Sequence, residues 1–386
     1  MITIAGNGMG DYTFDNLSLD LDTFDTILCD PQFREEGKQV LKLGYREAKA
    51  YLLEHYADAN ILYVVTGSPL FYSAGTIIAN LLPPDQVRIV DNTSSKSYML
   101  SRCRVAEAQT GALSLHGRDW IDLESFLTRP YTFVLCDRHS IGKLQAALQW
   151  IDSAELEITI GYKLGYPDEQ IVPIDLGALD GEWDWTQPYV LLIKRLFEPS
   201  APINPDSAFA TERGMITKQY KRHLSLQRLD LLPNVLLWDV GAGSGSCGIE
   251  AYTRYRVRTV FFEKQPARCE YIRRNLRAHH VCDARLIEGE AETMFGSVET
   301  DPDRIFVGGG GVGVIARLPY LYGRLNDGGV MLINAITLKN LTQMIAVLSD
   351  AQIAYEVISL SLTTYKGTLD MVEPERQLFQ IKVVKP

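Results

Sequence analysis

The sequence contains few residues that bind metals or form disulfides, and no segment typical of a membrane protein. Its six cysteines include no Cys-x-x-Cys pair, and the cysteines and histidines together do not form the spacing of a four-ligand metal site. We therefore expect reduced thiols and no metal site. No apolar run approaches the roughly 20 residues that cross a bilayer. The first residues, MITIAGNGMG, lack the basic and apolar stretches of a secretory signal, so we expect a cytoplasmic protein.

The chain also has fewer basic than acidic residues. The chain has 38 Lys and Arg against 48 Asp and Glu, a formal net charge of −10. Binding to nucleic acid requires a basic face, so we expect no nucleic-acid partner and, with no apolar span, no membrane partner. A small anionic substrate is not excluded, because it responds to local charge.

A proline-rich stretch divides the chain of 386 residues. Glu198–Pro205 reads EPSAPINP, and three prolines in so short a stretch prevent a regular element. We predict a first domain over residues 1–199, a linker over 200–205 and a second domain over 206–386. This length is typical of two or three domains.

Short apolar runs alternate with helical patterns in both halves, which predicts an α/β fold. In the first half we expect largely parallel strands and a helix over Lys38–Tyr56. In the second half, five runs of Val, Ile, Leu and Phe precede two alternating segments. This pattern predicts five buried parallel strands followed by an antiparallel hairpin at the sheet edge, hence a seven-stranded sheet.

The most specific motif is LLWDVGAGSGSCGIEA, residues 236–251. It predicts a strand, a tight turn and a helix, with glycine required where the turn visits positive φ and a ligand approaches the backbone. A dinucleotide fingerprint has the spacing G-x-G-x-x-G, whereas this loop has G-x-G-x-G after Asp239. A carboxylate there would repel pyrophosphate, so the loop favours a cationic cofactor, S-adenosylmethionine. The predicted cofactor residues are Asp239, Gly241, Ala242, Gly243, Ser244 and Gly245.

Polar or glycine-rich residues follow each of the next four predicted strands. Glu263 is expected to accept hydrogen bonds from both ribose hydroxyls of the cofactor. The remaining predicted cofactor residues of this half are Gly289, Glu290, Ala291, Gly308 and Gly309. The glycine run that begins at Gly308 indicates a large flat substrate or close cofactor approach. Asn334 ends the fifth strand, at the same edge.

These motifs together carry a resemblance to a known family. The second half resembles the decarboxylating methyltransferases of corrin-ring biosynthesis, which have a Rossmann-like class I fold. The motifs that carry this resemblance are ITKQYKR (Ile216–Arg222), DRIFVGGGGV (Asp303–Val312) and NDGGVMLINAITLKNL (Asn326–Leu341). The first half resembles the tetrapyrrole methylases, which have two α/β subdomains. The motifs that carry this resemblance are GNGMGD, TGSPLFYSAG, DNTSSKSYML and SLHGRD. The whole chain is similar to the fused precorrin-6Y C(5,15)-methyltransferase (decarboxylating) family.

The resemblance implies methylation of a corrin precursor at ring carbons 5 and 15, with decarboxylation of the acetate at carbon 12, in cobalamin biosynthesis. It also implies a homo-oligomer. It places Gly6, Gly8, Gly10 and Asp11 at the substrate. It places a second set around S-adenosylmethionine, bound between the subdomains: Gly67, Ser68, Pro69, Thr93, Ser94, Leu115 and His116.

A basic cluster precedes the glycine loop of the second half. Lys218, Lys221 and Arg222 are expected to bind carboxylates of the precursor. Thr217, beside them, and Asn334 are the candidate catalytic residues.

The first half departs from the tetrapyrrole methylase pattern. Ser68 stands where Asp is usual, Asn92-Thr93 replace Pro-Gly, and Tyr162 replaces Glu. Two alternatives therefore stay open: an inactive first domain, or a two-domain methyltransferase acting on another small molecule. A third alternative, a protein that only binds a dinucleotide, is disfavoured by Asp239 and the glycine spacing.

Overall fold

The computed structural model describes residues 1–118, 121–179, 183–201, 203–309, 311–366 and 371–386. Contacts between Cα atoms divide the chain into two compact units. The first comprises Met1–Asp119, Thr128–Gly142 and Leu156–Arg195. The second comprises Trp120–Leu127, Lys143–Glu155 and Leu196–Pro386. Two stretches of the first half thus group with the second, which the sequence did not indicate.

The first unit begins with a five-stranded parallel sheet in the order β3-β2-β4-β1-β5. Its strands are β1 (Ile2–Gly6), β2 (Thr26–Cys29), β3 (Val40–Lys42), β4 (Ile61–Val65) and β5 (Val87–Val90). Its helices are α1 (Tyr45–His55), α2 (Ala74–Ala79) and α3 (Ser95–Cys103). The predicted helix over Lys38–Tyr56 is wrong in its first part. Val40–Lys42 pairs with β2 as an edge strand, and Gly44 caps the helix in an extended conformation.

A second five-stranded sheet has the order β6-β7-β10-β8-β9. Its strands are β6 (Thr110–Ser114), β7 (Tyr131–Leu135), β8 (Leu156–Tyr162), β9 (Gln170–Ile174) and β10 (Tyr189–Arg195). Helices α4 (Leu123–Thr128) and α5 (Ser140–Leu148) lie between these strands in the sequence. Only β6 and β7 pair in parallel, so the prediction of largely parallel pairing fails here. The short link from β8 to β9 permits only antiparallel pairing.

The second unit contains the predicted seven-stranded sheet, in the order β13-β12-β11-β14-β15-β19-β16. Its strands are β11 (Leu236–Val240), β12 (Arg258–Glu263), β13 (Ala284–Glu288), β14 (Arg304–Val307), β15 (Val330–Ala335), β16 (Glu356–Leu360) and β19 (Leu378–Val384). The first five are parallel, and β19 pairs antiparallel with both β15 and β16. Strands β17 (Thr363–Lys366) and β18 (Met371–Pro374) form a separate ribbon.

Seven helices accompany this sheet in the described residues after 201. They are α6 (Gln219–Arg228), α7 (Ser246–Tyr255), α8 (Pro266–Ala278), α9 (Ala291–Met294), α10 (Val312–Ala316), α11 (Leu318–Arg324) and α12 (Leu338–Asp350). The central strands are apolar on both faces because helices cover each face. None of the helices described is long and apolar enough to cross a membrane.

Candidate functional site

The glycine loop after β11 adopts the conformation that its sequence predicts. Gly241, Gly243 and Gly245 have φ values of +70°, +61° and +75°. A Cβ on Gly241 would lie 2.4 Å from the carbonyl oxygen of Gly309, so the loops after β11 and β14 are in contact. A Cβ on Gly243 would meet no described atom within 4 Å. The loop therefore leaves open space beside the backbone of Gly243, at the carboxyl edge of the sheet.

Asp239 supplies a buried carboxylate directly below this loop. The residue is 1% exposed, and its Oδ2 accepts a hydrogen bond from the backbone N–H of Gly248 at 3.0 Å. Its Oδ1 has no hydrogen-bond partner among the described residues. Burial, reinforced by the charge of Glu263, raises the pKa of Asp239 to about 7. An incompletely satisfied buried carboxylate is suited to a cationic ligand nearby.

Glu263 holds the loop itself, which changes the role expected from the sequence. Its Oε2 accepts from the N–H of Gly243 at 2.8 Å, and its Oε1 accepts from the N–H groups of Lys264 and Gln265. A carboxylate offers about four acceptor positions, so three are already used. Glu263 can therefore accept one ribose hydroxyl, not both, unless a backbone donor is released.

The other predicted cofactor residues of this half lie at the same edge. The N–H of Gly289 donates to the carbonyl oxygen of Glu263, and the N–H of Gly308 donates to that of Val240. Glu290 forms an ion pair with Lys264 at 3.3 Å, and Ala291 begins α9. The glycine run after β14 includes Gly310, which lies outside the described residues.

Two of the three basic residues predicted to bind substrate are buried in ion pairs instead. Arg222 is 0% exposed, and its Nε donates to Glu250 at 2.5 Å while its terminal nitrogens donate to Asp206 and to backbone carbonyls. Lys221 pairs with Glu375 at 2.9 Å. Neither is available to a substrate, so both predictions are corrected. Lys218 keeps a half-exposed side chain, 3.6 Å from Asp206.

The two candidate catalytic residues lie at the carboxyl edge, each bound to a neighbouring element. The side chain of Thr217 lies beside the Cys247 thiol on α7, and the main-chain oxygen of Thr217 accepts a hydrogen bond from Arg222 on α6. Asn334, at the end of β15, accepts a hydrogen bond from Gln380 of β19 at 3.1 Å. Both are partly exposed.

Asn275 on α8 is a buried residue that the sequence did not single out. Its Nδ2 donates to the carbonyl oxygens of Ala210 and Ser244, and its Oδ1 accepts from the N–H of Ala210. It therefore joins the chain ahead of α6 to the glycine loop. Nothing local marks this asparagine, because both partners are distant in the sequence.

The first unit contains a second site, a cavity of about 430 Å³ lined by residues of both of its sheets. Five of the predicted residues line it: Gly8, Gly10, Gly67, Ser68 and Ser94. A Cβ on Gly67, whose φ is +67°, would meet no described atom within 4 Å. The glycine loops thus open onto the cavity.

Other residues predicted for this site do not line the cavity. Gly6 is buried in β1, and a Cβ there would lie 2.1 Å from the carbonyl oxygen of Gly67. Asp11 pairs with Arg34 at 3.1 Å. Leu115 is buried in the core and His116 is exposed. Pro69 and Thr93 belong to lining loops but are not among the lining residues.

One departure in the first half, at Ser68, has a structural counterpart. The Ser68 hydroxyl donates to Asp91 at 2.5 Å, so a carboxylate from the next loop stands beside the position where Asp is usual. Asp91 was missed because it lies 23 residues from Ser68 in the sequence.

Tyrosines also line this cavity, and the sequence did not indicate them. The phenol groups of Tyr12 and Tyr166 lie beside each other. Burial raises the pKa of Tyr63 and of Tyr166 to about 12. These phenols are therefore neutral at physiological pH and offer hydrogen bonds. They come from separate loops and strands, so no spacing connects them.

Comparison with known proteins gives two adjoining family matches. Residues 17–180 match the family model for tetrapyrrole (corrin/porphyrin) methylases, and residues 207–385 match that for a precorrin methyltransferase domain. A precorrin-6Y C(5,15)-methyltransferase (decarboxylating) of Sinorhizobium sp is 29% identical over 310 residues, which cover 75% of this chain and 70% of the relative. A probable cobalt-precorrin-6B C(15)-methyltransferase (decarboxylating) of Pyrobaculum aerophilum is 30% identical over 41% of this chain and 82% of its own.

The chain belongs to the precorrin-6Y C(5,15)-methyltransferase (decarboxylating) family. A crystal structure of precorrin-6Y C5,15-methyltransferase from Geobacter metallireducens is also similar, with 33% identity, a TM-score of 0.45, and coverage of 47% of this chain and 97% of that one. Membership of the family makes this chain an enzyme, a methyltransferase, and excludes the dinucleotide-binding alternative.

Proposed function

We propose that this enzyme methylates precorrin-6Y at ring carbons 5 and 15 and decarboxylates the acetate side chain at carbon 12, using S-adenosylmethionine, in cobalamin biosynthesis. The observation that carries the proposal is that each unit has its own glycine-lined site, and that each matches a different methylase family. One chain with two such sites fits a reaction that needs two methyl transfers.

In the second unit, the residues at the carboxyl edge suit the methyl donor, whose sulfonium supplies an electrophilic methyl group. Asp239 offers a buried carboxylate to the cationic half of the molecule. Gly243 allows close approach to the backbone, and Glu263 has one acceptor position for a ribose hydroxyl. The protein's contribution to the transfer is to hold donor and acceptor in line, which can lower a barrier by about 7–11 kcal/mol.

In the first unit, we assign the cavity to the other methyl transfer. Gly67 and Ser68 with Ser94 would surround the donor, and Gly8 and Gly10 would face the ring. The carboxylate of Asp91, which accepts the Ser68 hydrogen bond, takes the place of the missing Asp. On this basis we favour an active first domain over an inactive one.

The proposed partners follow from the same family. We propose a small-molecule corrin precursor as the substrate and a homo-oligomer as the assembled form, on the resemblance alone. We propose a cytoplasmic location, and with a net charge of −10 no nucleic-acid partner.

Blocking one site at a time in the full chain tests the assignment. We expect G67V to fill the cavity of the first unit, and G243V to fill the cofactor space of the second, because neither new side chain meets protein atoms at its Cβ. With precorrin-6Y and S-adenosylmethionine, mass spectrometry should show one methyl transfer lost in each variant and a different one in each. Decarboxylation should fail only in G243V.

G328V is the matched control, since Gly328 also has positive φ and open space but lies just before β15, at the opposite end of the sheet. It should give the wild-type product. If wild-type enzyme does not methylate precorrin-6Y, the substrate assignment is wrong. If G67V gives the wild-type product, the first unit does not carry a methyl transfer.

A further inference from the structure

A row of connected hydrogen bonds, formed by Ser225, Gln380 and Asn334, ends at Asn334. Gln380, which is 0% exposed, donates from its Nε2 to the Ser225 hydroxyl at 2.7 Å and to the Oδ1 of Asn334 at 3.1 Å. The Ser225 hydroxyl in turn donates to the carbonyl oxygen of Lys221 at 2.8 Å. The row therefore connects α6, β19 and the end of β15.

This row determines which end of the Asn334 amide is available. Ser225 has one hydroxyl proton, and it is used on Lys221, so Ser225 accepts from Gln380. In the structure the amide nitrogen of Gln380 faces both Ser225 and Asn334, and its buried Oε1 has no hydrogen-bond partner among the described residues. Asn334 consequently accepts through its oxygen and directs its own Nδ2–H group away from the row. That group has no hydrogen-bond partner in the part of the chain that the structure describes.

Two cations of α6 close to these hydrogen bonds are paired with carboxylates, and three exposed apolar side chains lie at the same edge of the sheet. The neighbouring cations of α6 are compensated, Lys221 by Glu375 and Arg222 by Glu250. Ile336 and Leu338, just after β15, are 61% and 69% exposed. Val312, which starts α10 beyond the adjacent strand β14, is 69% exposed. Since the carboxyl ends of neighbouring parallel strands lie at one edge, these apolar side chains lie at the same edge as the amide.

We propose that Asn334 binds the acetate carboxylate that the enzyme removes, with Gln380 and Ser225 as positioning residues. This inference rests on the proposed function. When the bond between the methylene and the carboxyl carbon breaks, carbon dioxide leaves and the electron pair passes into the conjugated ring. A proton from water then converts the methylene into a methyl group.

The chemistry explains why a neutral donor suits this place. A cation would stabilise the carboxylate more than the transition state, in which the negative charge has moved into the ring, and would slow its loss. An amide N–H orients the carboxylate while the apolar side chains keep water from it. The burial of Lys221 and Arg222 in ion pairs keeps these two cations from the carboxylate.

The test is the product partition of the full-length enzyme acting on precorrin-6Y with S-adenosylmethionine. Mass spectrometry separates methylated product that keeps the carboxyl group from product that has lost it. For N334L we expect the decarboxylated-to-retained ratio to fall about tenfold or more, as for the loss of a hydrogen bond to a charged group. S225A, which only releases Gln380, should lower the ratio by a smaller factor.

N326A is the control, because Asn326 loses two side-chain hydrogen bonds in the loop before β15, at the other end of that strand, and should leave the ratio unchanged. An unchanged ratio in N334L overturns the proposal, as does an equal fall in N326A. If N334L does not fold, S225A decides, and an unchanged ratio there overturns it. Wild-type enzyme that leaves precorrin-6Y untouched would instead overturn the proposed function.

Discussion

At the scale of single residues, two carboxylates near the glycine loop differ in how their oxygens are satisfied. Glu263 accepts three backbone hydrogen bonds, whereas Asp239 accepts one and is almost completely buried. Burial therefore raises the pKa of Asp239 to about 7, against an ordinary value of 3.8. Its charge near neutral pH depends on whether a cation is bound.

We expect the binding of S-adenosylmethionine by the second unit to strengthen as pH rises through about 7. A cation favours the ionised form of Asp239, so binding below this pH must release a proton. Titration calorimetry at about pH 6 in buffers of different ionisation enthalpy measures that proton. The G67V background confines the measurement to the second unit.

D239N provides the comparison, since it keeps the acceptor that holds Gly248 but cannot ionise. Affinity should fall about tenfold to a hundredfold, and the released proton should vanish. Equal proton release by D239N and the wild-type residue would show that another group titrates. In the ligand-free enzyme, the pKa of Asp239 is higher in the folded chain, about 7, than the ordinary value of 3.8. Its contribution to the free energy of unfolding is therefore fully present below about pH 3.8 and is lost as the pH rises through about 7.

At the scale of elements, the chain ahead of α6 is fixed to the helices beside the glycine loop. Arg222 on α6 holds the carbonyl oxygens of Asn204 and Thr217 and pairs with Glu250 on α7. Asn275 on α8 holds Ala210. These buried bonds fix the position of Thr217 relative to the loop.

R222M should lower the free energy of unfolding of the second unit by about 3–5 kcal/mol, because the buried carboxylate of Glu250 would lose its arginine and keep only His223 beside it. Replacing both residues in R222M/E250M should recover part of this loss. Calorimetry of the unfolding transitions measures the effect. R274M removes an exposed arginine from α8 and should change stability by less than about 0.5 kcal/mol; a loss as large as that of R222M would argue against the ion pair as the cause.

At the scale of the whole molecule, the compact units do not follow the proline-rich stretch. The second unit includes Lys143–Glu155, where the Trp150 indole donates to the carbonyl oxygen of Ala284 at 2.8 Å and Ala147 accepts from the N–H of Asp283 at 2.7 Å. The predicted boundaries at 199 and 206 remain a prediction. Cutting the chain there would remove these bonds.

A fragment of residues 206–386 should therefore melt at a lower temperature than the second unit does in the full chain. Two hydrogen bonds contribute about 1–3 kcal/mol together, which corresponds to roughly 2–12 °C for a domain of this size. Scanning calorimetry of both proteins gives the difference. W150F in the full chain should reproduce a part of it, and equal melting temperatures for fragment and full chain would contradict the prediction.

Several features of the fold could be predicted because they depend on local sequence. Positive φ at Gly241, Gly243 and Gly245 requires glycine, and the loop forms as expected. The runs of apolar residues in the second half require cover on both faces, which gave the seven-stranded sheet. The edge strand β3 and the antiparallel β9 were not predicted, since short edge strands with mostly exposed side chains have no strong pattern.

The sequence alone determined that both halves contain glycine-rich loops and that an acidic residue, Asp239, precedes one of them, because backbone conformation and residue type are local properties. Only the tertiary structure decided how the side chains are used. Arg222 forms a buried ion pair with Glu250, 28 residues away in the sequence, and is therefore not available to bind a substrate. The amide of Asn334 is oriented by a hydrogen bond from Gln380, 46 residues away. Hydrogen bonding between distant segments sets charge and direction, and no local pattern encodes which partners will meet.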